Sequence, residues 1–194
     1  MLTIGTQKSD RISTITNTTW AEYISLDLPS KRVSFRNGVI TIFSPGRNHE
    51  LIGDYIRAII WAYCRNLNIP VFTFNQTTLK EEGKEGKEPD VAYCFEIDKD
   101  KPDLAVEINL TSGSIDDLTK YQYLKIPEVW LWENNKIIFF VYRDSGYLEL
   151  TISNSLPNLN SDRVTTIVNS CFGKSVLEVE NYFSVGAVRE PPLH

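Results

Sequence analysis

The chain is short of the residues on which most small metal and nucleophile sites are built. It holds three cysteines, Cys64, Cys94 and Cys171, and two histidines, His49 and His194, in 194 residues. The cysteines are odd in number, widely spaced and without a CxxC pair, which speaks against a zinc knuckle and against a disulfide framework. A reduced, cytoplasmic compartment is the simplest setting for them. Two isolated histidines cannot make a multi-histidine metal centre, and His49 reads as a solvated residue opening a helix. No GxSxG elbow, P-loop or GxGxxG turn is present. No apolar run approaches the roughly 20 residues of a membrane helix, and the longest, Ile137 to Tyr142, is strand-sized. The start, MLTIGTQKSD, lacks the basic and apolar stretches of a secretory signal. Positive charge is also scarce, with 20 Lys+Arg against 25 Asp+Glu. That is not the profile of a tight non-specific nucleic-acid binder. It leaves room for an enzyme that gathers acids around a divalent ion and turns only a local basic rim to phosphate.

What is present is a well-patterned globular chain, expected to form one domain over 1–194. Residues 1–17 are polar and expected to be flexible. A helix and a β-hairpin fill 18–46. Thr19-Trp20-Ala21-Glu22 is a capping box opening a helix to about Leu28. Arg32–Arg36 and Val39–Phe43 alternate around Asn37-Gly38, the signature of a hairpin with a type I′ turn. From Asn48 onward, Leu51, Ile52, Tyr55, Ile56, Ile59, Ile60 and Tyr63 recur with helical period, predicting a long amphipathic helix. Strands are expected at 71–75, 90–95 and 104–110. Between the first two of these, the run from Lys80 to Glu88 reads as a charged, solvated and mobile loop. A helix over 115–124 and strands at 128–133, 136–142 and 147–151 follow. After them come a polar loop and a closing helix at 175–183. The fold class is therefore α/β or α+β: a central mixed β-sheet flanked by helices, with added β-hairpins. The core falls over 47–133, and 134–185 is a C-terminal β extension and helix. Trp20, Trp61, Trp130 and Trp132 are expected in the core, the last two with a dimer interface or a base-stacking platform as alternatives.

The carboxylates carry the chemical information. Asp90 follows Glu88-Pro89 at the mouth of a strand, where proline is tolerated. Glu107 lies inside Leu104-Ala105-Val106-Glu107-Ile108-Asn109-Leu110. Alternation puts Ala105, Glu107 and Asn109 on one face of that strand. A carboxylate in an apolar strand costs stability unless it is paired or binds a metal. Two such acids on successive strands can converge on a hard cation such as Mg²⁺. They can equally be one rim acid and one edge acid facing solvent.

Three stretches carry a resemblance. They are Ser44-Pro45-Gly46-Arg47-Asn48-His49-Glu50-Leu51-Ile52, then Glu88-Pro89-Asp90-Val91-Ala92-Tyr93, and the long run from Pro102 through Thr111-Ser112-Gly113-Ser114-Ile115-Asp116-Asp117-Leu118 to Ile126-Pro127-Glu128-Val129-Trp130-Leu131-Trp132-Glu133. With these the chain resembles the Uma-two family of restriction-endonuclease-like proteins, within the PD-(D/E)XK nuclease superfamily, over roughly residues 20–160. The resemblance implies a restriction-endonuclease-like core and a Mg²⁺- or Mn²⁺-dependent endonuclease that hydrolyses DNA phosphodiester bonds. Asp90 and Glu107 would be metal ligands, with Glu50 reaching in from the helix directly or through a water. It also implies a homodimer.

The resemblance also implies a lysine that completes the site, orienting the attacking water or stabilising the pentavalent state, and there the sequence departs from the pattern. The position two residues after the strand glutamate is Asn109, and an alternative position on the next helix is Asp117. Lys120 is the nearest candidate on that helix, set against a solvated lysine paired with Asp116 at i, i+4. Lys87 and Lys80 are further candidates. Tyr121 reads as core, and Gln122 as a residue able to hydrogen-bond a water or a phosphate. The rival reading is a catalytically impaired nuclease fold that binds DNA or a protein partner, favoured by the missing lysine and the negative net charge.

Overall fold

A computed structural model describes residues 9–74, 78–110, 114–144 and 146–187, with the backbone alone at 114–117 and 185–187. The chain opens with strand β1 (Arg11–Ile15), an exposed edge strand paired antiparallel with a later strand from Arg11↔Ser44 to Ile15↔Ile40. Flexibility through residue 17 was the expectation. The polar, Ser/Thr-rich composition of this segment hides a strand that depends on a distant partner for its hydrogen bonds. Residues 1–8 and the tail at 191–194 lie outside the described residues. Helix α1 (Trp20–Ser25) carries the capping box: Glu22 N–H donates to Thr19 Oγ1 at 3.2 Å, and Thr19 N–H donates to Glu22 Oε2 at 2.7 Å. Strands β2 (Arg32–Arg36) and β3 (Val39–Ser44) form the hairpin, with φ of 50° at Asn37 and 75° at Gly38 as a type I′ turn requires.

Helix α2 (Arg47–Leu67) is the long amphipathic helix, closed by Asn68 in the left-handed region at φ 56°. Its inner face holds Tyr55, Ile56, Ile59 and Ile60, all fully buried, and each such side chain contributes about 1.5–3 kcal/mol relative to exposure. Trp61 is 48% exposed, not in the core. It sits about 100° around the helix from Ile60, and its indole N–H donates to Tyr93 Oη at 3.1 Å.

After β4 (Val71–Thr73), the charged run forms a hairpin, not a loop: β5 (Leu79–Glu81) and β6 (Glu85–Lys87), paired from Leu79↔Lys87 to Glu81↔Glu85. Strand β6 also pairs with β2, and Glu85, Gly86 and Lys87 are all buried. Gly86 allows the close approach. A Cβ there would stand 2.3 Å from the Tyr23 ring. Composition misleads here because the charges are neutralised by partners far away in sequence, Arg36 for Glu85 among them.

Strands β7 (Val91–Phe95) and β8 (Leu104–Asn109) are antiparallel, helix α3 (Ser114–Leu124) crosses over, and β9 (Glu128–Glu133) runs parallel to β8. Strands β10 (Lys136–Arg143) and β11 (Gly146–Leu150) complete the meander. The expected polar loop contains a further helix, α4 (Ser161–Ser170), capped by the Asn160 side chain on the N–H groups of Asp162 and Arg163. Helix α5 (Val176–Ala187) follows. The C-terminal part is therefore two helices where one was expected.

Two sheets result. One has the order β1-β3-β2-β6-β5, and the other the mixed order β11-β10-β9-β8-β7-β4. Alternation along β8 divides the core. Val106 and Ile108 pack with α2, Trp130, Trp132 and Phe139 in one cluster, while Ala105 packs with Tyr121, Leu124 and Leu131 in another. Trp130 stacks on Phe139 with ring centroids 4.1 Å apart, so both β9 tryptophans are spent on packing. No helix among the described residues is long and apolar enough to cross a membrane.

The β6 hairpin generates a stability prediction. Burial pushes the Glu85 carboxyl up to about 7, against the opposing pull of Arg36, Lys120 and Lys87. A folded-state value above the unfolded one means stability falls as pH rises from the unfolded value of 4.5 through about 7. Glu85→Gln is expected to stabilise the protein by about 1–2 kcal/mol at alkaline pH and to change little in mild acid. Urea unfolding at both pH values reads this. A glutamine variant less stable than the parent in alkali would show that the Arg36 contact outweighs burial.

Candidate active site

The β7–β8 ladder ends in a way that brings two acids together. Val91 pairs with Val106, so Asp90, one residue before, and Glu107, one residue after, stand opposite each other across the opening. The Ile108 N–H at this point donates to Asp90 Oδ2 at 2.9 Å, a carboxylate taking the place of a ladder carbonyl. Asp90 and Glu107 are both about 5% exposed. They line one cleft of about 290 Å³, walled on the other side by the five-stranded sheet through residues of β1, β2, β3 and β6. Lys87, Lys120 and Asn109 line the same cleft.

Each acid is held by basic groups. Arg32 Nε lies 3.1 Å from Asp90 Oδ1, and the same guanidinium reaches Glu50 Oε1 at 3.2 Å. His49 Nε2 is 3.0 Å from Asp90 Oδ1 and its Nδ1 is 3.6 Å from Asp10 Oδ2. Neither ring nitrogen lies in hydrogen-bond geometry, so these contacts are chiefly ionic. Burial alone would lower the His49 pKa, but Asp90, Asp10 and Glu107 outweigh it and the net shift is upward. For Asp90, burial pushes the carboxyl up, while His49, Arg32 and the Ile108 amide pull it down further, so it stays ionised. Glu107 Oε2 lies 3.2 Å from Lys87 Nζ, and the Tyr121 hydroxyl donates to Glu107 Oε1.

Of the residues singled out by sequence, the structure brings Asp90, Glu107, Lys87 and Lys120 to one cleft. Glu50 stands apart from it. Its side chain is 43% exposed, is held by Arg32, and lines the adjoining groove with Arg57, Glu88 and Asp90. Among the described residues, no three His, Cys, Asp or Glu side chains are grouped as a metal-binding cluster. Lys120 is half-buried and faces the cleft. The side chains of Asp116 and Asp117 lie outside the described residues, as do Thr111, Ser112 and Gly113. The hairpin at 32–43 walls the cleft, whereas the 134–151 strands extend the six-stranded sheet.

Sequence reasoning missed Arg32, Asp10 and the place of His49. His49 is 1% exposed, not solvated, because the first turn of α2 points it at Asp90 beneath the β3 ring of Phe43. No signal in the sequence near His49 marks this contact, since Asp90 lies 41 residues away along the chain. Tyr121 is core, as read, yet its hydroxyl also orients Glu107.

Removing one partner of a buried ion pair strands the other. His49→Ala is therefore expected to destabilise the fold by about 3–5 kcal/mol near pH 6, read by urea unfolding. The pH window follows from the signs. The stability from His49, whose pKa is raised, is present below 6.5 and lost as pH rises through its folded value. The stability from Asp90, whose pKa is lowered, is present above 3.8 and lost as pH falls through its folded value. The cost of His49→Ala should thus shrink in alkali. A cost independent of pH would mean that the imidazole acts by packing alone.

Comparison with known proteins adds a family and a fold. A solved structure of a putative nuclease of the DUF820 family from Anabaena variabilis ATCC 29413 is similar with a TM-score of 0.56 at 14% identity, over 77% of this chain and 98% of that one. At that identity the likeness shows the fold. No curated protein matches the chain. The Uma2 family model, described as "Putative restriction endonuclease", matches residues 20–168. The chain belongs to the Uma2 family, and its α/β architecture is that of a nuclease-like fold.

Proposed function

We propose that this protein is a cytoplasmic, Mg²⁺- or Mn²⁺-dependent endodeoxyribonuclease that hydrolyses DNA phosphodiester bonds and acts as a homodimer. The observation that carries the reading is the pairing of Asp90 and Glu107 across the open end of the β7–β8 ladder, in one cleft with basic side chains. Two carboxylates on a cleft wall suit a Mg²⁺-type ion, which keeps several waters and takes few protein ligands. Charge favours the same conclusion. Among the described residues, four carboxylates, Asp10, Glu88, Asp90 and Glu107, line the cleft against three cationic side chains, Arg32, Lys87 and Lys120. Without a bound cation the cleft offers a phosphate no net positive charge.

Asp90 and Glu107 would hold the ion, and Glu50 would act from the adjoining groove through a water or through Arg32. When bound, the ion supplies Lewis-acid charge that offsets the charge of the phosphate and favours a nucleophilic water. The Ile108 amide and His49 keep Asp90 ionised and oriented, and the Tyr121 hydroxyl orients Glu107. Lys120, on the cleft wall, would contact the DNA backbone. In the reaction a water oxygen bonds to phosphorus as the bond to the leaving sugar oxygen breaks. The electron pair leaves with that oxygen, and the protons exchange with solvent. The second reading, a nuclease fold that binds DNA or a protein without cutting, draws on the uncharged Asn109 at the motif's lysine position.

The test is nicking of supercoiled plasmid in Mg²⁺ or Mn²⁺, with chelator as control. Asp90→Ala and Glu107→Ala are each expected to lower the rate by about 100-fold or more. Cutting that survives both substitutions would reject this site, and a wild type that binds the plasmid without cutting it would favour the second reading.

A further inference from the structure

Lys87 is a buried ammonium in a place that composition gave no reason to expect. Its backbone is fixed on both sides, since β6 lies between β2 and β5 with Lys87 opposite Ser34 and Leu79. Its side chain is 9% exposed, its Nζ stands 3.2 Å from Glu107 Oε2, and it lies 5.5 Å from the centroid of the Tyr121 ring. Burying an ammonium is costly unless a carboxylate and an aromatic face offset the loss of water. Both are supplied here, and the residue still lines the cleft with Asp90 and Glu107. Asn109, two residues beyond Glu107 on the same strand, also lines this cleft and carries no charge. The one fixed ammonium in ion-pair contact with Glu107 among the described residues therefore comes from a different strand in a different sheet.

We propose that Lys87, delivered by the β5–β6 hairpin, is a catalytic residue of the cleft: its ammonium contacts a non-bridging oxygen of the scissile phosphate beside Glu107. The inference rests on the nuclease reading above. An ammonium carries three donors and can hold a carboxylate and a phosphate oxygen together. Because its Cα sits in the middle strand of three, the charge is in place before substrate arrives, and little reorganisation is needed as charge builds on the phosphate. Lys87 and Lys120 then divide the work. Lys120 contacts the backbone of the DNA, and Lys87 acts at the reacting phosphorus.

The experiment compares the wild type with Lys87→Met, Lys87→Arg and, as a control on the same hairpin, Lys84→Met, whose parent side chain is 71% exposed. Three quantities are read: kcat and KM for plasmid nicking, the Mn²⁺ dissociation constant by calorimetry without DNA, and the melting temperature. Lys87→Met is expected to lower kcat by about 100-fold with KM changed by less than about 3-fold. Its Mn²⁺ affinity should be unchanged or up to about 10-fold tighter, because a cation beside Glu107 has been removed. Lys84→Met should match the wild type. If Lys87→Met does not fold, Lys87→Arg decides, since it keeps the charge and should retain at least about a tenth of kcat. A Lys87→Met variant with kcat within about 3-fold of the wild type overturns the proposal and leaves the nuclease reading standing. So does a loss of activity matched by a weaker Mn²⁺ affinity, which would make Lys87 a prop for Glu107. A wild type that never cuts removes both.

Discussion

The structure turns on one constraint: two carboxylates buried at the open end of a β-ladder are costly unless cations are brought to them. Asp90 and Glu107 emerge where β7 and β8 part, each about 95% removed from solvent. Their own sheet supplies the Ile108 amide to Asp90. The ammonium and guanidinium groups come from the other sheet, Arg32 from β2 and Lys87 from β6. The imidazole comes from the first turn of α2, with Asp10 behind it. The five-stranded sheet is thus more than an added hairpin. It is the platform from which charge is delivered to the acids of the six-stranded sheet.

That arrangement has two consequences. Stability and chemistry share the same groups, since an acid that loses its buried partner costs the fold several kcal/mol, typically about 3–5. The cleft is also poised near electrical balance, with acidic and basic side chains facing one another across it. On the proposed reading, an acidic protein would need no basic surface, because a few fixed side chains and a bound ion would supply the charge that meets phosphate. Glu50 belongs to this balance at one remove. It holds Arg32 from the exposed side of the guanidinium while Asp90 holds it from the buried side.

Local patterns made much of the framework legible from sequence. The Asn37-Gly38 turn, the Thr19/Glu22 box and the period of α2 each depend on neighbours within a few residues, and each is found where the pattern puts it. The pairing of acids was legible in outline, because alternation along 104–109 fixes which side chains share a face. The partners of those acids were legible only in part. Arg32 is 58 residues from Asp90 in sequence, and Lys87, though a candidate lysine, sits in a run whose charge density resembles a solvated loop. The same long-range dependence hid β1, which needs β3, and the β5–β6 hairpin, which needs β2 and Tyr23. His49 was misread for the same reason: nothing near it in sequence reveals the buried acids at its two edges. Helix α4 was hidden differently, by a polar sequence whose apolar Val164, Ile167 and Val168 are too few to stand out.

The central claim is that Asp90 and Glu107 together hold one divalent cation. Anomalous diffraction at the manganese edge from crystals grown with Mn²⁺ tests it most directly. The account predicts a single strong peak in contact with carboxylate oxygens of both residues, absent from crystals of Glu107→Ala grown in the same way. A peak held elsewhere, or none at a saturating Mn²⁺ concentration, would contradict it.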